Sequence, residues 1–277
     1  MCRLVFVAAL LHLLLPADAR AEAFAFRSEV IPKAFTATIG GELSFPRGKG
    51  PFPVVILMHP CGGLERFSLA TLRAHATDLI GVGFATLILD SYGARKLTGG
   101  KVCRGGIPTL WFRRDDAFNA MRALWSHEKV SKDNMFLLGQ SDGASAALAS
   151  ALGGGSVGNF RAVAAYYPPC GWLGYGSRDI VSPTIVFVGE KDDWTPPGAC
   201  IKAKSAGTVR GAEFEVVSYP NAYHAFDQQR RPVKYLGHTL AYDRAATVDS
   251  RQRLKAFFIR HLTDDLKSAP PFSGKAK

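Results

Sequence analysis

The chain has 277 residues, 47% of them hydrophobic and 21% charged, with a formal net charge of +11. That length and apolar content can fill a large core and exclude a disordered chain. Lys and Arg are scattered along the whole sequence, with no basic run and no aromatic-interleaved patch, so no nucleic-acid partner is expected. At the N-terminus, Arg3, the apolar run Leu4–Leu15 and the small-x-small triplet Ala17-Asp18-Ala19 read as a secretory signal peptide over 1–19, with a second cleavage choice at 21. The apolar run is short for a bilayer span, so no stable membrane insertion is expected after cleavage. Residues 22–265 are expected to form a single domain, and 266–277 a flexible, frayed tail.

Phe35–Phe45 alternates loosely and suggests an opening hairpin around Gly40-Gly41. Val54–Met58 is fully apolar, hence a central strand, and ends in His59-Pro60-Cys61-Gly62-Gly63. Leu64–Leu79 has helical periodicity. Phe84–Leu89 is the next strand, ending in Asp90-Ser91-Tyr92-Gly93, followed by a Gly- and Lys-rich loop through Gly106. Trp111–Trp125 is a helix, Met135–Leu138 a short buried strand and Ala144–Leu152 a tightly packed helix. Ala162–Tyr166 and Thr184–Val188 are strands, Pro197–Ala206 is a short helix, Phe214–Val217 a strand and Tyr242–Leu262 a long closing helix. Strands alternating with helices predict an α/β fold with a mainly parallel sheet.

Gly139-Gln140-Ser141-Asp142-Gly143 falls between the Met135 strand and the Ala-rich helix. In that context G-x-S-x-G is the nucleophile elbow of the α/β-hydrolase fold. Ser141 would sit at a helix N-terminus, where backbone N–H groups favour developing negative charge. A triad on this fold runs Ser, acid, His along the chain. Asp192 and Asp193 lie just past the Thr184 strand and His224 just past the Phe214 strand, so the candidate nucleophile, acid and base fall at the C-terminal ends of strands, where open α/β sheets place their sites. By position alone, Asp192 and Asp193 both remain candidates for the acid. The oxyanion hole would take the amide of Asp142 and one from the loop after the third strand. Pro60 has no N–H, so Cys61 is the first candidate there and Gly62 the second.

Four cysteines remain after cleavage, which in an oxidising compartment suggests two disulfides with three connectivities. Cys61–Cys103 and Cys170–Cys200 are favoured, because each links loops that follow neighbouring predicted strands; four free buried thiols are the alternative. No C-x-x-C or H-x-H spacing occurs, so neither a metal site nor a cofactor is expected.

On His59-Pro60-Cys61-Gly62-Gly63, Asp90-Ser91-Tyr92, Arg114-Asp115-Asp116-Ala117, the pentapeptide at Ser141, Gly189–Pro196 and Ala222–Phe226, the chain resembles the dienelactone hydrolase family of α/β-hydrolases. The resemblance covers about Val54 to Phe226. It implies an eight-stranded sheet flanked by helices, and hydrolysis of an ester or lactone through a covalent acyl-enzyme, with Asp192 rather than Asp193 at the family's acid position; Asp193 would then point elsewhere, capping the turn at Thr195. The family's founding members carry a cysteine nucleophile where this chain has Ser141, and a glutamate where it has Pro60. They also carry arginines that bind a substrate carboxylate. Arg95 is a candidate for one; near His224 the run Asp227-Gln228-Gln229-Arg230 displaces or removes the other. The chain therefore looks like an exported, periplasmic or secreted, serine-nucleophile branch acting on a small-molecule ester or lactone other than dienelactone. A peptidase or acyltransferase on the same scaffold, or a non-catalytic binding protein, are the alternatives.

Other polar residues have plainer roles. His75 and His127 read as surface or packing residues, His59 as loop packing, and Asp115 and Asp116 as partners of a helix N-terminus. Tyr92, Trp172 and Trp194 are candidate walls of an acyl pocket, and as aromatics in loops they also suit packing.

Overall fold

The fully apolar runs become the middle of one eight-stranded sheet. The structure is a computed structural model and describes residues 21–154, 158–174 and 178–273; the signal-peptide reading over 1–19 and the end of the tail, 274–277, lie outside the described residues. In chain order the elements are β1 (Glu22–Ser28), β2 (Ala37–Ser44), β3 (Phe52–Met58), α1 (Arg66–Gly81), β4 (Ala85–Asp90), α2 (Gly99–Cys103) and α3 (Leu110–Leu124). They continue with β5 (Val130–Gln140), α4 (Asp142–Ala151), β6 (Ala162–Tyr166), β7 (Arg178–Ile180), β8 (Thr184–Gly189), α5 (Gly198–Ser205), β9 (Val209–Gly211) and β10 (Phe214–Tyr219). The chain closes with β11 (Val233–Tyr235), β12 (His238–Leu240), α6 (Arg244–Arg260) and α7 (Asp264–Lys267). The sheet order is β1-β2-β4-β3-β5-β6-β8-β10, and β2 alone runs against the other strands. This is the α/β-hydrolase fold.

The two-residue period of a strand explains why the central runs carry no polar alternation. In β3, Val55 and Leu57 face one core layer, together with Leu72, Leu79 and Phe258 from α1 and α6. Val54, Ile56 and Met58 face the other layer, against Ala117, Met121 and Leu124 of α3 and Ala146, Ala147 and Ala151 of α4. Both faces are covered, so every residue from Val54 to Met58 is buried. The small side chains of α4 let it lie close on the sheet, which sets the height of the turn that precedes it.

Three segments differ from the sequence reading. Gly40-Gly41 is not a turn. Both glycines lie inside β2, paired with Ala25 and Phe24 of β1. A side chain at Gly41 would collide with the carbonyl of Ile88 on β4, so the glycines serve close strand packing. Two small sheets, β7 with β9 and the hairpin β11–β12, sit outside the main sheet. Their three-residue strands are too short to show a pattern.

The expected frayed tail is docked as far as Ser273. Here α7 leads into a turn that places Phe272 edge-on against the fully buried Phe84 at 5.4 Å between ring centres. Phe272→Ala removes a half-buried aromatic, and is expected to lower stability by about 1–2 kcal/mol, or roughly 2–8 °C in Tm for a chain of this size. Thermal unfolding by circular dichroism checks this; an unchanged midpoint would mean that the tail contributes no packing.

Candidate active site

The turn from β5 into α4 puts Ser141 at φ 52°, ψ −114°, outside the regions a side-chain-bearing residue ordinarily occupies. Close packing holds it there. A Cβ at Gly139 would strike the carbonyl of Gly143, and one at Gly143 would lie 2.5 Å from the Met58 oxygen and 2.6 Å from that of His59. The Ser141 amide is fixed to the Tyr166 carbonyl at 2.9 Å. Glycine is therefore required on both sides of the serine, as the pentapeptide implied.

Ser141, Asp192 and His224 meet. His224 Nε2 lies 3.0 Å from Ser141 Oγ, and His224 Nδ1 lies 2.8 Å from Asp192 Oδ2. All three are buried. Asp192 also accepts the amides of Trp194 and Thr195 on Oδ1, and the Thr195 hydroxyl on Oδ2. With four donors its carboxylate is held in one orientation. Because Nδ1 faces a carboxylate it carries the ring proton, which leaves the Nε2 lone pair facing the serine. The rings of Tyr167 and Trp194 flank the imidazole at 4.8 and 5.1 Å.

The amides of Cys61 and Asp142, the two candidate oxyanion donors, have no acceptor among the described hydrogen bonds. The Cys61–Cys103 disulfide ties the first of these loops to α2, and the second disulfide joins Cys170 to Cys200, both as expected. Gly99, Gly100 and Cys103 of α2 form one wall of a pocket of about 400 Å³ that opens on Ser141 and His224. Trp194, Tyr167, Tyr235, Phe67 and Leu240 supply apolar lining, and Gln228, Glu65 and Arg230 the polar part.

Several residues do other work than the sequence suggested. Arg95 does not reach the pocket. Its guanidinium is buried in a two-pronged pair with Asp116, at 2.7 Å on each arm, and also donates to the carbonyls of Phe35 and Ser91. Asp116 is thus a buried ion-pair partner rather than a helix-end charge. Tyr92 does not wall the pocket either: it is buried, its hydroxyl donates to Asp142 Oδ2 at 2.9 Å, and burial raises its pKa. Trp172 packs beside the Cys170–Cys200 disulfide, away from the pocket. Trp194 does line it. Asp193 does not cap the turn at Thr195, a role taken by Asp192. It anchors the β11–β12 hairpin instead, accepting from the Thr239 amide and hydroxyl and from Lys234.

Other functional neighbours were missed. His75 is fully buried and bonds Asp227 Oδ2 at 2.8 Å; the same carboxylate accepts from Gln140 at 2.7 Å and Tyr167 at 2.8 Å. Burial opposes the charge on Asp227, but His75 and Tyr167 keep its pKa below the usual range. Arg230 is the permanent cation of the pocket lining. It lies 4.6 Å from the centre of the Phe67 ring and has no carboxylate partner among the described residues. The displaced arginine near His224 was visible in the sequence, but not the side on which it would emerge.

Residues 39–262 match the dienelactone hydrolase family. None of the curated proteins compared matches the sequence. Among solved structures, a dienelactone hydrolase from Anabaena variabilis is 17% identical, with a TM-score of 0.62, covering 88% of this chain and 99% of its own. A dienelactone hydrolase-like promiscuous phosphotriesterase from metagenomic libraries is 19% identical, with a TM-score of 0.63 over 88% of this chain and 99% of its own. An esterase from Thermogutta terrifontis, solved with its protein phosphoramylated by tabun, is 16% identical, with a TM-score of 0.61 over 91% and 96%. At these identities the likeness is one of fold.

His59 provides a pH test. It is fully buried, donates from Nδ1 to the Pro60 carbonyl and accepts the Ser91 amide on Nε2. Burial and the neighbouring Arg113 guanidinium push its pKa down to about 3. Between that value and the ordinary 6.5, the unfolded chain takes up a proton that the native state refuses. Stability is expected to fall as pH drops through that window, by up to about 1.4 kcal/mol per pH unit from this residue. Urea unfolding at neutral and acid pH, with NMR titration of the ring, checks it; a His59 resonance titrating near the ordinary value would overturn it.

Proposed function

We propose, from the premise that the chain belongs to the dienelactone hydrolase family and is a hydrolase, that it cleaves carboxylic esters or lactones through a covalent acyl-serine. The relay from Asp192 through His224 to Ser141, with contacts of 2.8 and 3.0 Å opening on a pocket of about 400 Å³, carries this reading. Ser141 Oγ attacks the carbonyl while His224 Nε2 takes its proton. The carbonyl oxygen becomes an oxyanion that the amides of Cys61 and Asp142 receive. His224 returns the proton to the leaving alkoxide, and water then repeats the sequence to free the acid. Asp192 orients the imidazole and stabilises its charged form.

In this reading Trp194 and Tyr235 hold the apolar part of the substrate. Arg230, rather than Arg95, meets an anionic substituent, since Arg95 is already fully engaged by Asp116. Export is supported by the two disulfides, which persist in oxidising compartments and are worth about 2–4 kcal/mol each. Among the described residues, no helix is long and apolar enough to cross a membrane.

A fluorophosphonate is expected to label Ser141 stoichiometrically. Ser141→Ala should abolish labelling and lower kcat on p-nitrophenyl esters by about 10⁴-fold or more, and Asp192→Asn by about 10⁴-fold. A folded wild-type protein that takes no label would point to a non-catalytic binding protein. Turnover of aminoacyl amides but not of esters or lactones would point to a peptidase.

Arg230→Met separates the anionic subsite from the chemistry. It is expected to raise KM for an ester bearing a free carboxylate by about tenfold, leaving that for a neutral ester within about twofold. Equal effects on both substrates would remove Arg230 from this role.

A further inference from the structure

Directly behind the pocket lies a second buried cluster that the triad chemistry does not use. Arg113, on α3, is wholly shielded from solvent. Its Nη1 donates to Asp142 Oδ2 at 2.5 Å, and its Nη2 donates to the His59 carbonyl at 2.6 Å. The other contacts of the Asp142 carboxylate come from Thr109 Oγ1 at 2.6 Å and Tyr92 OH at 2.9 Å. Burial alone would raise the pKa of Asp142; Arg113 and these hydroxyls hold it below the usual range. One planar group therefore ties the residue that follows the nucleophile to the loop that carries Cys61.

Stability does not explain the arrangement. Desolvation consumes most of the attraction in a buried ion pair, and an apolar pair of similar volume often serves folding as well or better. Geometry does explain it. A guanidinium presents its two arms at a fixed angle in one plane, so two acceptors bound by it cannot drift apart. Those acceptors belong to the two segments whose amides, at Cys61 and Asp142, have no acceptor among the described hydrogen bonds. Charge matters too. Asp142 carries its carboxylate on the same residue whose amide faces the site, and an unpaired negative charge there would oppose a developing oxyanion.

We propose that Arg113 is a positioning residue: its fork sets the spacing of the Cys61 and Asp142 amides, and its charge cancels that of the Asp142 carboxylate beside the oxyanion. This rests on the reading of Ser141 as an acyl-forming nucleophile.

The test uses the full-length protein with p-nitrophenyl butyrate and a fluorophosphonate. Arg113→Met is expected to lower kcat by about 10²–10³-fold, with KM held within about threefold and phosphonylation slowed in parallel. Arg113→Lys keeps the charge but not the rigid planar fork, and should fall in between. In Arg113→Met/Asp142→Asn the orphaned carboxylate is gone, so kcat should recover by about tenfold over Arg113→Met. A merely structural role would shift the melting temperature without producing either the kcat-only loss or that recovery. Should Arg113→Met not fold, Thr109→Val and Arg113→Lys carry the same criterion, a fall in kcat at constant KM.

A folded Arg113→Met or Arg113→Lys with wild-type kcat overturns the proposal. So does a loss shared between kcat and KM that the double variant leaves in place. If wild-type Ser141 takes no label, the nucleophile reading fails and this proposal with it. If the wild type labels normally and the variants match it, this proposal alone fails.

Discussion

The site is set by a steric contact between two backbones. The carbonyl oxygens of Met58 and His59, at the end of β3, occupy the space that any side chain at position 143 would fill. The first turn of α4 can therefore press against the end of β3, and the residue pushed outward by that contact is Ser141, with a positive φ. The same approach brings the loop that follows β3, with Cys61, next to the first amide of α4. A single close packing thus fixes the backbone of Ser141 and holds the first turn of α4 against the end of β3. The core on both sides of β3 supplies the force that maintains it, because moving the turn would displace α4 from the buried layer of Ala146, Ala147 and Ala151.

Around this contact, Asp192, Asp227 and Asp142 each collect several donors. Asp192 fixes the loop after β8 through the amides of Trp194 and Thr195. Asp227 draws together α1, the residue before the nucleophile, and Tyr167 after β6. Asp142 reaches α3 and the loop after β4. Each sits where loops from different strands must be held in register, and each collects donors from elements distant in sequence. Such clusters add little net stability, since desolvation offsets the attraction. Directional bonds allow only one arrangement of the loops, however, whereas apolar contacts tolerate sliding.

How much of this the sequence revealed depended on the distance between partners. The elbow was legible because its requirements are local: a buried strand, two small residues and a helix within a dozen positions. The candidate acid and base were legible because chain order and strand ends restrict where they fall, and the resemblance to the family separated Asp192 from Asp193. Arg95 was misread because its partner lies 21 residues away on another element, and nothing beside Arg95 reveals that Asp116 is buried under it. His75 failed in the same way. Its helical spacing is ordinary, and its role appears only when Asp227, 152 residues later, arrives beneath it. Tyr92 and Trp194 look alike in sequence, as aromatics just past strands. They part because Asp142 claims the hydroxyl of one, whereas the indole of the other rests against His224.

Asp192 and Asp193 show how far adjacent, identical side chains can diverge. Position in the turn decides between them. The first points back over the end of β8 and meets two amides of its own loop together with the imidazole. The second points outward and meets strands that arrive some forty residues later. Desolvation opposes the charge on Asp193, but the Thr239 amide and hydroxyl and the Lys234 ammonium together keep its pKa down at about 2. Asp193 holds the β11–β12 hairpin where Tyr235 approaches Trp194, with ring centres 5.7 Å apart, and His238 stacks on the same indole at 5.0 Å. One carboxylate therefore orients the imidazole of His224, and its neighbour secures the wall beside that ring. Both act through a single short turn after β8, so the wall and the imidazole share one mechanical reference, the end of that strand.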